Sequence, residues 1–220
     1  MTGDPGQGTG AAATPRSGRG LLLLHAPAPR VREWVATGLG ASVVVPFPGG
    51  WTAVVPQTPR TYAAPPFDDA LAVLLGRPVR RRLLPTIGVA LLGERLVLGL
   101  VPAVLRPRRT WLVWEPGTGL VRPAGLPPAT VAVLAAVAGA RERRERVAGV
   151  LGDGRGDAAG VLREVFAVLE LPGAEIAIGS TLAAGEPDAV LVEPSREDVG
   201  RFDRTVHEVR RWREEVEGNP

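Results

Sequence analysis

Two clusters of arginine carry the strongest chemistry in this chain. Arg77, Arg80, Arg81 and Arg82 precede an apolar stretch at 86–101, and Arg106, Arg108 and Arg109 follow it. A guanidinium fork binds carboxylate or phosphate through paired hydrogen bonds, so these residues form an anion-binding face if the fold gathers them. The stretch between them predicts that it does. Thr86–Leu92 and Arg95–Val101 read as two strands reversing at Gly93-Glu94. Paired residue numbers in an antiparallel hairpin share a constant sum, here 187. That register sets Arg81 opposite Arg106 and Arg82 opposite Leu105, at one end of the sheet. Gathered cations repel unless carboxylates or a bound anion stand among them. The sequence leaves three ways to meet that need: cover by C-terminal acids such as Glu193, Glu197 and Asp198, an acidic protein partner, or nucleic acid.

All 26 basic side chains are arginine, and there is no lysine and no cysteine. This excludes Schiff-base and Ser-Lys chemistry, the phosphate-binding loop lysine, thiol nucleophiles, cysteine zinc sites and disulfides. The remaining catalytic set is thin. His25 ends a leucine run and reads as a strand-end residue, while His207 reads as helix surface. None of Ser17, Ser42, Ser180 and Ser195 sits in a nucleophile-elbow pattern. Gly152–Asp157, with sequence Gly-Asp-Gly-Arg-Gly-Asp, lacks the ligands and the glycine of a calcium loop and reads as a turn whose Asp157 caps the next helix. Gly38-Leu39-Gly40 lacks the third glycine of a dinucleotide loop. The adjacent acids Asp68 and Asp69 read as first-turn residues of a helix, where the dipole favours them. No metal site and no cofactor is expected.

Charge is unevenly placed. Residues 1–125 carry 14 arginines against 6 acids, and 126–220 carry 12 against 17. A basic half therefore meets an acidic half. The chain is expected to comprise a disordered tail at 1–20, a basic sheet region at 21–125, and an acidic, mainly helical region at 126–220, the last two packed together. No export signal is evident, because Leu21–Leu24 is too short for one, and a cytoplasmic protein is the default. Thr86–Leu105 is long enough to span a bilayer, but Glu94 and Arg95 at its centre would each cost about 2.5–3.5 kcal/mol there. A hairpin tip accommodates them freely, so no membrane span is expected. The arginine-only usage fits a GC-rich bacterial genome.

The elements that position the arginines follow from periodicity. Leu21–His25 reads as a buried strand and Pro29–Leu39 as a helix. Ala41–Val45 and Trp51–Val55 read as a hairpin around Gly49-Gly50, its prolines 46, 48 and 56 marking edges or bulges. Phe67–Leu75 reads as a second helix, Thr110–Glu115 as a strand, and Gly119–Arg122 as its return. Helices are expected at Thr130–Ala138, Arg141–Val150 and Asp157–Leu169, with short strands at Glu175–Ile178 and Ala189–Val192. Ser195 and Asp198 resemble a capping box for a last amphipathic helix striped by Val199, Phe202, Val206 and Val209, continued by Trp212 and Val216, and closed by Gly218. Alternation places Trp111 and Trp114 on opposite faces of one strand. Trp212, among Arg210, Arg211 and Arg213, is a candidate interface anchor.

The fold class expected is α+β: an antiparallel sheet of β-hairpins with two helices in the N-terminal half, then a mainly helical C-terminal half. The function expected is non-catalytic protein interaction, adaptor or chaperone-like. Its binding residues would be Arg80, Arg81, Arg82, Arg106, Arg108, Arg109 and Trp212. Nucleic-acid association through the same arginines is the alternative, with an enzyme of unrecognised motif third.

Overall fold

The leucine run at the start of the ordered chain sits at the centre of the molecule. In the computed structural model, which describes residues 18–217 (side chains to residue 208), Arg19–Leu24 forms β1. Leu21 and Leu23 enter one apolar cluster, and Leu22 and Leu24 enter another on the opposite face. A strand covered on both faces needs apolar side chains at successive positions, and four leucines supply them. Residues 1–17 of the expected tail lie outside the described residues, whereas Arg19 and Gly20 belong to the strand.

The chain then forms α1 (Ala28–Ala36), β2 (Ser42–Pro46), β3 (Thr52–Pro56) and α2 (Ala70–Gly76). A meander follows: β4 (Thr86–Leu92), β5 (Arg95–Val101), β6 (Thr110–Glu115) and β7 (Gly119–Val121). Next come α3 (Val131–Val137), α4 (Arg144–Gly152), α5 (Ala158–Leu169), α6 (Ala174–Ile178), β8 (Val190–Val192) and α7 (Arg196–Glu217). The eight strands make one antiparallel sheet, ordered β7-β6-β5-β4-β1-β3-β2-β8. Thus the acidic half contributes an edge strand, Val43 pairing with Leu191, to the sheet built by the basic half. Helices α1 and α2 cover one face, with Val31, Trp34, Leu71 and Leu75 on Leu22, Leu24 and Val54. Helices α3 to α6 cover the other, where Leu134, Val147, Leu162 and Phe166 join the larger core.

The hairpin register matches the expectation: Thr86 pairs with Val101 and Leu92 with Arg95, a sum of 187 throughout. Trp111 and Trp114 divide between the faces as alternation requires, Trp114 fully buried under the C-terminal helices and Trp111 packed on the α1–α2 side. Asp157 caps α5, accepting a hydrogen bond from Gly160 N at 2.6 Å.

Several expectations are corrected. The ladder does not reach the arginines, so Arg81 does not pair with Arg106. It ends at Thr86–Val101, because the next two residues in register are Pro85 and Pro102 and neither has an N–H to donate. Arg81–Leu83 forms a single 3-10 turn instead. Glu175–Ile178 is the short helix α6 and not a strand; Gly173 and Gly179, both at positive φ, bracket it, and Ile176, Ala177 and Ile178 are buried. Tertiary packing overrides the local β-branched character here. Asp69 is the N-cap of α2, accepting from Ala72 N at 2.8 Å, while Asp68 lies one residue earlier and pairs with Arg60 at 2.7 Å. Pro46 and Pro56 close strands that are interior to the sheet, so they mark strand ends and not sheet edges.

Helix α7 starts at the capping residue Ser195, whose Oγ accepts from Asp198 N at 3.4 Å and whose N–H donates to Ala36 O at 3.2 Å. Val199 is buried and Phe202 meets Phe67 edge-on, with ring centroids 5.1 Å apart. Its first turns therefore rest beside α1 and α2. The side chain of Trp212 and residue Gly218 lie outside the described residues. Among the described residues, no helix is long and apolar enough to cross a membrane.

Candidate functional site

The loops before β4 and after β5 leave the sheet at the same end, and one hydrogen bond ties them together. Arg109 donates through Nη2 to the carbonyl of Arg77 at 2.8 Å. Arg77 follows the last turn of α2, and its guanidinium lies 4.2 Å from the centre of the Trp34 ring on α1. It also donates to Thr37 O at 2.9 Å and Thr37 Oγ1 at 2.7 Å. The indole of Trp34 donates in turn to Pro78 O at 3.2 Å. These contacts hold the 77–82 segment against the end of α1.

The second loop is held through Trp111. Its ring sits over Gly99, where an added Cβ would lie 2.9 Å from the ring edge, and Arg109 stands 5.9 Å from its centre. Backbone bonds from Trp111 N to Pro127 O (2.8 Å) and from Ala129 N to Trp111 O (2.7 Å) pin this strand from outside. A glycine on β5 thus seats the tryptophan against which Arg109 rests.

Two of the arginines are consequently structural. Burial, with Arg80 nearby, lowers Arg77 to about 10, and burial also lowers Arg109. Neither has a carboxylate partner among the described residues; carbonyls, a hydroxyl and indole faces take their place. Arg82 reaches Glu33 at 3.6 Å, an exposed pair of little energetic weight. Arg80, Arg81, Arg106 and Arg108 are exposed and make no ion pair among the described residues. Leu83, fully buried, anchors the turn from which Arg81 and Arg82 project.

Among the described residues, the acids named for a possible cover, Glu193, Glu197 and Asp198, make no ion pair with the arginine clusters. Glu197 and Asp198 pair with Arg201 on their own helix, at 2.9 and 3.1 Å. Glu193 makes no ion pair among the described residues.

An apolar feature lies among these cations. Val104 and Leu105, between Pro102 and Pro107, are 51% and 76% exposed. The end of the sheet therefore presents an exposed aliphatic tip in the loop that carries Arg106 and Arg108, with Arg80 and Arg81 exposed in the loop bonded to it. Such a surface can take carboxylates or phosphates at its rim and apolar atoms at its middle.

The fold brings together six of the seven expected binding residues at the level of their loops. Arg109 is tied into the packing, and the side chain of Trp212 lies outside the described residues. Sequence reasoning missed the anchoring role of Arg77, which depends on Trp34 and Thr37 some forty residues away. It also passed over Val104 and Leu105, whose signal was present: two aliphatic residues between prolines, beyond the last ladder pair.

The other polar candidates have local roles. His25 Nε2 lies 3.2 Å from Gly49 O, and its ring meets Trp51 edge-on. His207 is exposed on α7. Among the described residues, no group of three or more His, Asp or Glu could hold a metal ion. No family model, curated protein or solved structure matches this chain, so the reading of the site rests on its geometry.

Proposed function

We propose that this chain is a non-catalytic protein-interaction module, adaptor or chaperone-like, which binds an acidic partner surface at the end of its sheet. One observation carries the reading: Arg106 and Arg108 flank the exposed Val104 and Leu105 in one loop, Arg80 and Arg81 stand exposed in the loop bonded to it, and none of the four has a carboxylate partner among the described residues. Arginine and apolar residues together characterise the productive part of protein interfaces. A nucleic-acid backbone would meet the charges but would leave the aliphatic tip without a partner. Trp114 is buried and Trp111 is seated on Gly99, so neither stands free as a base-stacking platform.

The test is affinity capture from native lysate with the wild-type protein and with Arg81→Gln/Arg106→Gln/Arg108→Gln, each with and without nuclease. Expected is a protein captured by the wild type, retained after nuclease and lost with the triple variant. Capture abolished by nuclease, with log affinity falling steeply against log salt, assigns the arginines to nucleic acid instead. Equal capture by the triple variant removes the patch from the interface.

A further inference from the structure

Beside the arginine patch lies an apolar groove that none of the preceding assignments uses. One wall is α2, through Ala72, Val73 and Gly76, and the other is the start of α7, through Phe202 and Thr205; Leu39 and Phe67 also line it. Its volume is about 630 Å³, inside the roughly 300–1,000 Å³ range of clefts that hold ligands. The groove adjoins the arginine loops, because Arg77 and Pro78 line it and Arg77 is the residue to which Arg109 is bonded.

Its charges decide what fits. Arg201 is already engaged by Glu197 and Asp198. Arg77 is the lining cation without a carboxylate partner among the described residues. Burial disfavours its charge, and an incoming carboxylate would relieve that. We propose that the groove docks a short peptide segment of the partner, with apolar side chains lying along Val73, Phe67 and Phe202 and a carboxylate reaching Arg77. The proposal rests on the protein-interaction reading and specifies the chemistry of the bound segment: apolar anchors beside an acid. A groove walled by one helix and the start of another is a common receptor for such segments.

Gly76 supplies a clean perturbation. A Cβ added there meets nothing within 4 Å, and its φ is not in the left-handed region, so Gly76→Leu adds bulk at the wall of the groove, with an unchanged Tm as the control for folding. The experiment is selection of a random peptide display library on the whole wild-type protein. The best enriched peptide, synthesised with a fluorescent label, is then titrated by anisotropy. Expected are peptides sharing two or more apolar residues and an Asp or Glu. Gly76→Leu should weaken the labelled peptide by at least tenfold, and changing its acid to the amide should weaken it by about fivefold or more. Arg81→Gln/Arg106→Gln/Arg108→Gln should leave it within about twofold. No enrichment, enriched peptides without an acid, or binding indifferent to Gly76→Leu each overturns the proposal. Failure here, with lysate capture still dependent on Arg81, Arg106 and Arg108, sinks the groove alone. Loss of that capture dependence sinks the patch reading instead.

Discussion

Gly99→Ala tests how the second arginine loop is positioned. The new methyl would lie 2.9 Å from Cζ3 of Trp111 and 3.3 Å from two neighbouring ring atoms. Carbon atoms settle at about 3.5–4.0 Å, so the ring must retreat by roughly 0.6–1 Å. Overpacking of this kind costs about 1–3 kcal/mol, and a half-buried ring that can yield belongs at the low end. Against this, alanine is better than glycine inside a strand by about 0.5–1 kcal/mol. The net expectation is a loss of about 0.5 kcal/mol, or about 1–2 °C in Tm for a chain of this length. Gly99→Val adds two further carbons and should lose about 5–10 °C on the same scales. The assay is thermal unfolding followed by circular dichroism, at one protein concentration and scan rate. The sign is decisive: with no ring over Gly99, alanine would stabilise. A shortened ring should rescue, so Gly99→Ala in a Trp111→Phe background should cost less than in the wild type, a coupling of about 0.5 kcal/mol or more. A raised Tm for Gly99→Ala, or no coupling to Trp111, refutes the seat and with it the account of how Arg109 is held.

Two further substitutions check local assignments by the same melt. Asp157→Ala removes the acceptor for Gly160 N and should cost about 1 kcal/mol, or about 2–4 °C, with Asp157→Asn close to silent. Thr86 is fully buried, and its Oγ1 has no hydrogen-bond partner among the described residues, so the near-isosteric Thr86→Val should be neutral or stabilise by up to about 1 kcal/mol; a clear loss of Tm would mean that the hydroxyl is paired.

Much of this architecture was legible in the chain because local signals agree with the fold. The four leucines of β1, the Gly93-Glu94 turn and the 187 register each have one structural reading, and each appears as read. What failed did so where tertiary contacts decide. Glu175–Ile178 has strand-like residues, yet two flanking glycines and the floor offered by β1 make it a helix. The length of the ladder was in principle readable, since Pro85 and Pro102 occupy facing positions in the register that the turn defines. The candidate site divides in the same way. That both arginine clusters leave one end of the sheet follows from the hairpin. That Arg77 stacks on Trp34, and that Glu197 and Asp198 serve Arg201 on their own helix, depends on packing between elements distant in sequence.

The reading stands or falls on whether the exposed guanidiniums are internal cement or an open surface. Melting of Arg81→Gln/Arg106→Gln/Arg108→Gln against the wild type, at low and at moderate salt, decides it most directly. Unpaired surface cations contribute at most a small repulsion. The triple variant should therefore melt within about 1–2 °C of the wild type, or slightly above it at low salt, where repulsion is least screened. A drop of several degrees would show that these arginines hold the fold together, and would leave no free face for a partner.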